Sequence, residues 1–94
     1  MFYKLINIKI NDATDMPFIS GCITDENHNR ATFKVPFDAG TGDICQEEEA
    51  IYYLALKIAI LNTALERDEA DDLGVDVFED LQDYIHEAKE AGKF

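Results

Sequence analysis

The apolar residues of this chain change their spacing once, near residue 38. Before that point they alternate: Ala31, Phe33, Val35 and Phe37 stand at every second position, with Thr32 and Lys34 between them. This is the period of a strand with one buried face. After it, Ile51, Leu54, Ala55, Ile58, Leu61 and Leu65 recur as one stripe at the helical period of 3.6. A strand pattern does not bury its face as a helix, nor the reverse. The chain is therefore sheet first and helix second.

Two earlier segments share the strand pattern. Over residues 2–10, Ile6, Ile8 and Ile10 are expected on one face and Asn7 and Lys9 on the other. The polar run 11–15 ends this segment. Over 17–25, Phe18, Ser20 and Cys22 alternate with Ile19, Gly21 and Ile23. Residues 25–30 form a polar turn. Pro36 cannot donate a ladder hydrogen bond, which puts the third strand, 31–37, at an edge or ends it there.

In the second part, 38–42 reads as a loop and Asp43 as an N-cap, with Gln46 completing a capping-box pattern. Glu47, Glu48 and Glu49 follow in the first turns, where the helix dipole favours negative charge. The first helix also carries Tyr52, Leu56 and Ile60 on roughly the opposite side. A helix apolar on two sides is sandwiched, so this second stripe needs the other helix or a second copy of the chain. The apolar pattern stops at Leu65. Gly74 reads as a stop signal, and Asp76 with Glu79 as a second capping box opening a helix to about Ala91. That helix has Val77, Phe78, Leu81, Tyr84, Ile85 and Ala88 on one face. The order βββαα predicts one α+β domain over residues 1–94, a three-stranded antiparallel meander with two helices packed on one face.

Charge follows the same division. Residues 1–37 hold Asp12, Asp15, Asp25 and Glu26 against Lys4, Lys9, Arg30 and Lys34, and are neutral. The net charge of −12 therefore belongs to residues 38–94. A field of that sign repels nucleic acid and anionic membrane and attracts basic surfaces. The sequence shows no basic patch of the kind that nucleic-acid binding requires. The longest apolar stretch, 50–61, is interrupted by Lys57 and is shorter than the ~20 residues of a membrane helix. No secretory signal pattern opens the sequence, and Cys22 and Cys45 are too few for a disulfide scaffold. A cytoplasmic setting is expected, that of the host if the chain is viral.

The strongest functional signal is an acidic ridge. Asp76, Glu79, Asp80, Asp83, Glu87 and Glu90 fall within an arc of about 100° on the last helix. A second cluster, Glu66, Asp68, Glu69, Asp71 and Asp72, precedes them. An acidic face can be an ordinary solvated face. Such faces normally mix signs, however, because like pairs at i,i+4 cost ~0.2–0.5 kcal/mol each. This ridge accepts several like pairs. Its charge spacing is of the order of the ~3.4 Å per phosphate of a DNA strand.

Other candidates read as structural. The loop at 38–43 has glycines before a helix, but its flanking acids repel phosphate, and it lacks the Gly-Lys-Ser/Thr ending. Its spacing matches no EF-hand. His28 and His86 have no His or Cys at metal-ligand spacing, so neither a metal nor a cofactor is expected. Cys22 and Cys45 read as buried or half-buried small apolar residues. Ser20 is the only serine and lies mid-strand without a nucleophile elbow, so no catalytic residue is assigned.

In size, acidity and lack of a catalytic motif, the chain resembles the small inhibitors that phages direct at host defences, including anti-restriction and anti-CRISPR proteins. The resemblance is one of character and covers no aligned stretch. It implies a non-enzymatic inhibitor that occupies the nucleic-acid groove of a basic target by mimicry, without binding nucleic acid itself. The alternative is a structural, assembly or antitoxin-like protein acting through an apolar helical interface. For that interface the sequence points to a homodimer through Tyr52, Leu56 and Ile60.

Overall fold

The computed structural model describes residues 3–12 and 15–93. Of the segments discussed above, Phe2, Ala13 and Thr14 lie outside the described residues. Three strands, β1 (Tyr3–Asn11), β2 (Phe18–Asp25) and β3 (Arg30–Pro36), are followed by two helices, α1 (Glu47–Leu61) and α2 (Arg67–Glu90). The sheet is an antiparallel meander in the order β1-β2-β3. This is the α+β arrangement expected from the sequence.

The alternation of β2 and β3 places the core. Ile19 and Ile23 from β2 and Ala31, Phe33 and Val35 from β3 are all buried, with Phe37 beyond the strand. They pack against Leu54 and Ile58 of α1 and Val77, Leu81 and Ile85 of α2. β3 ends at Pro36, as expected. Its exposed edge is partly covered, because the Lys34 amide donates to the Tyr53 hydroxyl at 3.1 Å and the Cys45 amide to the Pro36 carbonyl at 3.1 Å.

β1 departs from simple alternation. Leu5 pairs with Ile23 and Ile6 with Cys22, but the register then shifts, and Lys9 pairs with Ser20. Asn7 and Ile8 together stand opposite Gly21, a β-bulge with Asn7 at φ 56°. Asparagine tolerates this left-handed conformation better than most residues. Gly21 leaves room for this bulge: an added Cβ would lie 2.7 Å from Cδ1 of Ile8 and 3.1 Å from the Ile6 carbonyl oxygen. Ile6 therefore does not share a face with Ile8 and Ile10. Tyr3 and Leu5 before the bulge and Ile8 and Ile10 after it reach the core, while Ile6 turns to the other side of the sheet.

Three expectations at the helix ends are overturned. Asp43 is not the N-cap of α1, and the capping box with Gln46 is not formed. The helix starts at Glu47, after Gln46 in a left-handed conformation with no side-chain cap. The Asp43 carboxylate instead lies 3.1 Å from Nε2 of His86. Leu65 falls outside α1, which ends at Leu61. The Asn62 amide donates to the Ile58 carbonyl, and Asn62 Oδ1 accepts from the Ala64 amide. Gly74 does not stop a helix, nor does Asp76 start one: both lie inside α2.

Gly74 is buried where α2 crosses α1, and an added Cβ would lie 2.9 Å from the Ile51 carbonyl oxygen and 3.0 Å from Cβ of Ala55. Glycine costs a helix about 1 kcal/mol relative to alanine; here it permits the close approach. α2 ends in a Schellman motif, with Gly92 at φ 74°, the Gly92 amide donating to the Lys89 carbonyl and the Lys93 amide to the Ala88 carbonyl.

Leu54 and Ile58 have no exposed surface, so Leu54→Ala and Ile58→Ala should each lower stability by about 2–5 kcal/mol. Gly74→Ala should also destabilise, by about 1–3 kcal/mol, because the added methyl meets backbone, although alanine is the better helix former. Urea midpoints check both. A Gly74→Ala protein as stable as the parent would show that the helices are not held at this distance.

Candidate functional site

The continuity of α2 decides the shape of the acidic surface. With no break at Gly74, Asp68, Glu69 and Asp72 share a helix with Asp76, Glu79, Asp80, Asp83, Glu87 and Glu90. At 100° per residue these nine fall within an arc of about 120°, opposite the buried Ala70, Gly74, Val77, Leu81 and Ile85. All nine are exposed. They extend over roughly 33 Å, about one carboxylate per 4 Å of axis. The remaining two of the second cluster do not join them. Glu66 precedes the helix, its carbonyl accepting from the Ala70 amide, and Asp71 is half-buried on the flank that faces α1.

Contacts on both flanks anchor the ridge to the rest of the molecule. The Tyr3 hydroxyl donates to Oδ2 of Asp80 at 3.1 Å, joining β1 to α2. Burial and then the neighbouring Asp80 charge push the Tyr3 phenol well above the usual tyrosine range. On the opposite flank, Gln82 clamps the loop before α1: its Nε2 donates to the Gly42 carbonyl at 2.6 Å, and its Oε1 accepts from the Ile44 amide at 2.9 Å. Lys89 Nζ donates to the Ala39 carbonyl at 3.2 Å. These bonds hold the C-terminal half of α2 in place while leaving its acidic face in water. The clamp follows from no local sequence pattern, since its partners are about forty residues apart.

The loop at 38–43 is closed on itself. Asp38 Oδ1 accepts from the Gly40 and Thr41 amides, and the Asp38 carbonyl accepts from the Gly42 amide at 2.7 Å. Its acid thus satisfies its own backbone. His28 occupies the turn after β2 at φ 67°, with its amide donating to the Asp25 carbonyl at 3.2 Å. Cys22 is half-buried, as expected, whereas Cys45 is exposed and so is not the buried or half-buried apolar residue expected. Among the described residues, no three His, Cys, Asp or Glu side chains are grouped to hold a metal ion. Among the described residues, no helix is long and apolar enough to cross a membrane.

The second stripe of α1 stays in water. α2 lies against the Ile51 and Ala55 side of α1, and Tyr52, Leu56 and Ile60 are 53%, 46% and 69% exposed. Beside them runs a groove of about 300 Å³ between the helices, lined by Tyr52, Leu56, Ala59, Leu65 and Arg67 among others. Contiguous exposed apolar side chains of this kind mark interaction surfaces. The sequence also distributed Lys4, Lys9, Arg30 and Lys34 over three separate segments. The fold places all four on the face of the sheet that the helices leave uncovered, since each pairs in register with the open side of β2.

The chain matches no protein-family model, and no curated protein or solved structure is significantly similar to it.

The exposure of the stripe allows a direct test. Light scattering at moderate salt should give a dimer mass. Leu56→Asp should yield a monomer with an unchanged circular dichroism spectrum, because the side chain borders water. A parent protein that remains monomeric at high concentration would remove this stripe as a self-interface.

Proposed function

We propose that this chain is a non-enzymatic acidic binding protein. Its α2 ridge occupies the basic nucleic-acid groove of a target protein and inhibits that target by mimicry. The observation that supports this reading is the ridge itself: nine exposed carboxylates along one face of a single uninterrupted helix. The spacing of about 4 Å per charge is close to the ~3.4 Å per phosphate of a DNA strand. A rigid helix presents that charge with little ordering cost on binding, which favours affinity. Long-range attraction to a basic groove speeds encounter and makes it salt-sensitive. Inhibition by occupancy needs no chemistry from the ridge. A phage-type anti-defence role, of the anti-restriction or anti-CRISPR kind, is the setting such an inhibitor fits.

A second reading rests on a different observation, the exposure of Tyr52, Leu56 and Ile60. In that reading the protein is a structural, assembly or antitoxin-like component that works through an apolar helical interface, and the acid serves solubility. Salt separates the two, because an apolar interface tolerates salt and the ridge contact does not.

The test is capture of the target from the native cell, elution with salt and identification by mass spectrometry. Glu79→Lys, Asp83→Lys and Glu87→Lys combined should abolish capture while circular dichroism stays unchanged. These three positions are exposed and avoid the Tyr3–Asp80 hydrogen bond. A target retained by the triple variant would remove the ridge from the account and favour the apolar stripe.

A further inference from the structure

The uncovered face of the sheet carries a charge pattern opposite to that of α2. Its cross-strand rows follow from the register: Lys4–Thr24–Arg30, Ile6–Cys22–Thr32, Lys9–Ser20–Lys34 and Asn11–Phe18–Pro36. The bulge at Asn7 creates this arrangement, because it puts Lys4 and Lys9 on the same face although they are five residues apart. No strand contributes a carboxylate to the face; Asp15 stands at one end, beside Met16 and Phe18. Lys4, Lys9 and Arg30 make no ion pair with a described carboxylate. With strands about 4.8 Å apart and 3.3 Å of rise per residue, the four cations mark a rectangle of roughly 10 by 13 Å. Between its two basic rows lie the neutral Ile6, Cys22 and Thr32.

We infer that this face is a docking surface for an acidic polypeptide segment. The matching partner carries carboxylates on one face at these spacings, about 13 Å for an i,i+4 pair of an extended segment or about 10 Å for an i,i+7 pair on a helix, with an apolar side chain to lie on Ile6. Three features favour polypeptide over single-stranded nucleic acid. The cations sit at corners and do not form a track for a phosphate backbone. The row between them is apolar or neutral. The Phe18 ring, the aromatic group of this face among the described residues, already has Lys34 Nζ 4.1 Å from its centroid, so that side of the ring is not free to stack a base. The net charge of −12 opposes any acidic partner at low salt. At an ionic strength of about 0.15 M the Debye length is ~8 Å, and the local positive face governs contact. This inference is independent of the ridge, which belongs to the helix layer.

The experiment is a titration of the ¹⁵N-labelled protein with poly-L-glutamate at that ionic strength, followed by amide chemical shifts. Shifts are expected at Lys4, Lys9, Ser20, Arg30 and Lys34, and affinity should fall about tenfold in Lys9→Gln combined with Lys34→Gln. The same fall is expected for Lys4→Gln with Arg30→Gln, a pair that leaves Lys34 over Phe18 and serves if the first variant does not fold. The absence of shifts on this face, or equal binding by the folded variants, would overturn the inference. So would tighter binding of a single-stranded oligo-dT, or shifts that arise from protein concentration alone and mark a second copy as the occupant. Ridge variants leave this titration unchanged if the inference holds, so its failure is distinct from failure of the proposed function.

Discussion

At Gly74 the backbones of the two helices come closer than any side chain allows, with the Ile51 carbonyl oxygen 2.9 Å from where a Cβ would stand. Much of the helix layer depends on this contact. It lets α2 pass α1 without a break and turn Val77, Leu81 and Ile85 into the core beside Leu54 and Ile58. The burial of these side chains, worth about 1.5–3 kcal/mol each, outweighs the low helix propensity of one glycine. Because α2 packs along the Ala55 side of α1, the Tyr52–Leu56–Ile60 stripe is left outside. One missing methyl thus bears on how closely α2 packs along α1, and with it on the exposure of the apolar stripe.

The resulting molecule is electrically two-sided. The helix layer holds the acid, and the open sheet face holds the four bases of the first strands. The side chains that fix this polarity are mostly uncharged: Gln82 bridges the loop at Gly42 and Ile44, and Tyr3 ties β1 to Asp80. Neutral anchors suit such a ridge. An exposed ion pair contributes only about 0–1 kcal/mol and would cancel part of the charge that a basic partner meets.

Much of the architecture was legible in the sequence because burial is periodic. Alternation in 31–37 placed Phe33 and Val35 inside, and the stripe through Leu54 and Ile58 placed α1 on the sheet. Local signals were less reliable. Asp43–Gln46 and Asp76–Glu79 both have capping-box spacing, yet neither caps a helix, since a cap is one weak hydrogen bond of ~1 kcal/mol against the burial of a whole face. Ile6 departs from the simple alternation because a bulge adds one residue without changing the composition of the strand.

The sequence by itself determined the order of elements, the core-facing side of β3 and α1, and the acidity of the second part, all set by residue type and spacing along the chain. Only the tertiary structure decided that Gly74 is a crossing point, that nine carboxylates form one ridge, and that Lys4, Lys9, Arg30 and Lys34 share one face. Each of these depends on which distant backbone lies opposite: Ile51 against Gly74, Gly21 against the Asn7 bulge, and β2 between two strands that meet no other part of the sheet. Contacts between residues far apart in sequence leave no periodic trace in either segment alone, because what selects them is the fit of one surface to another.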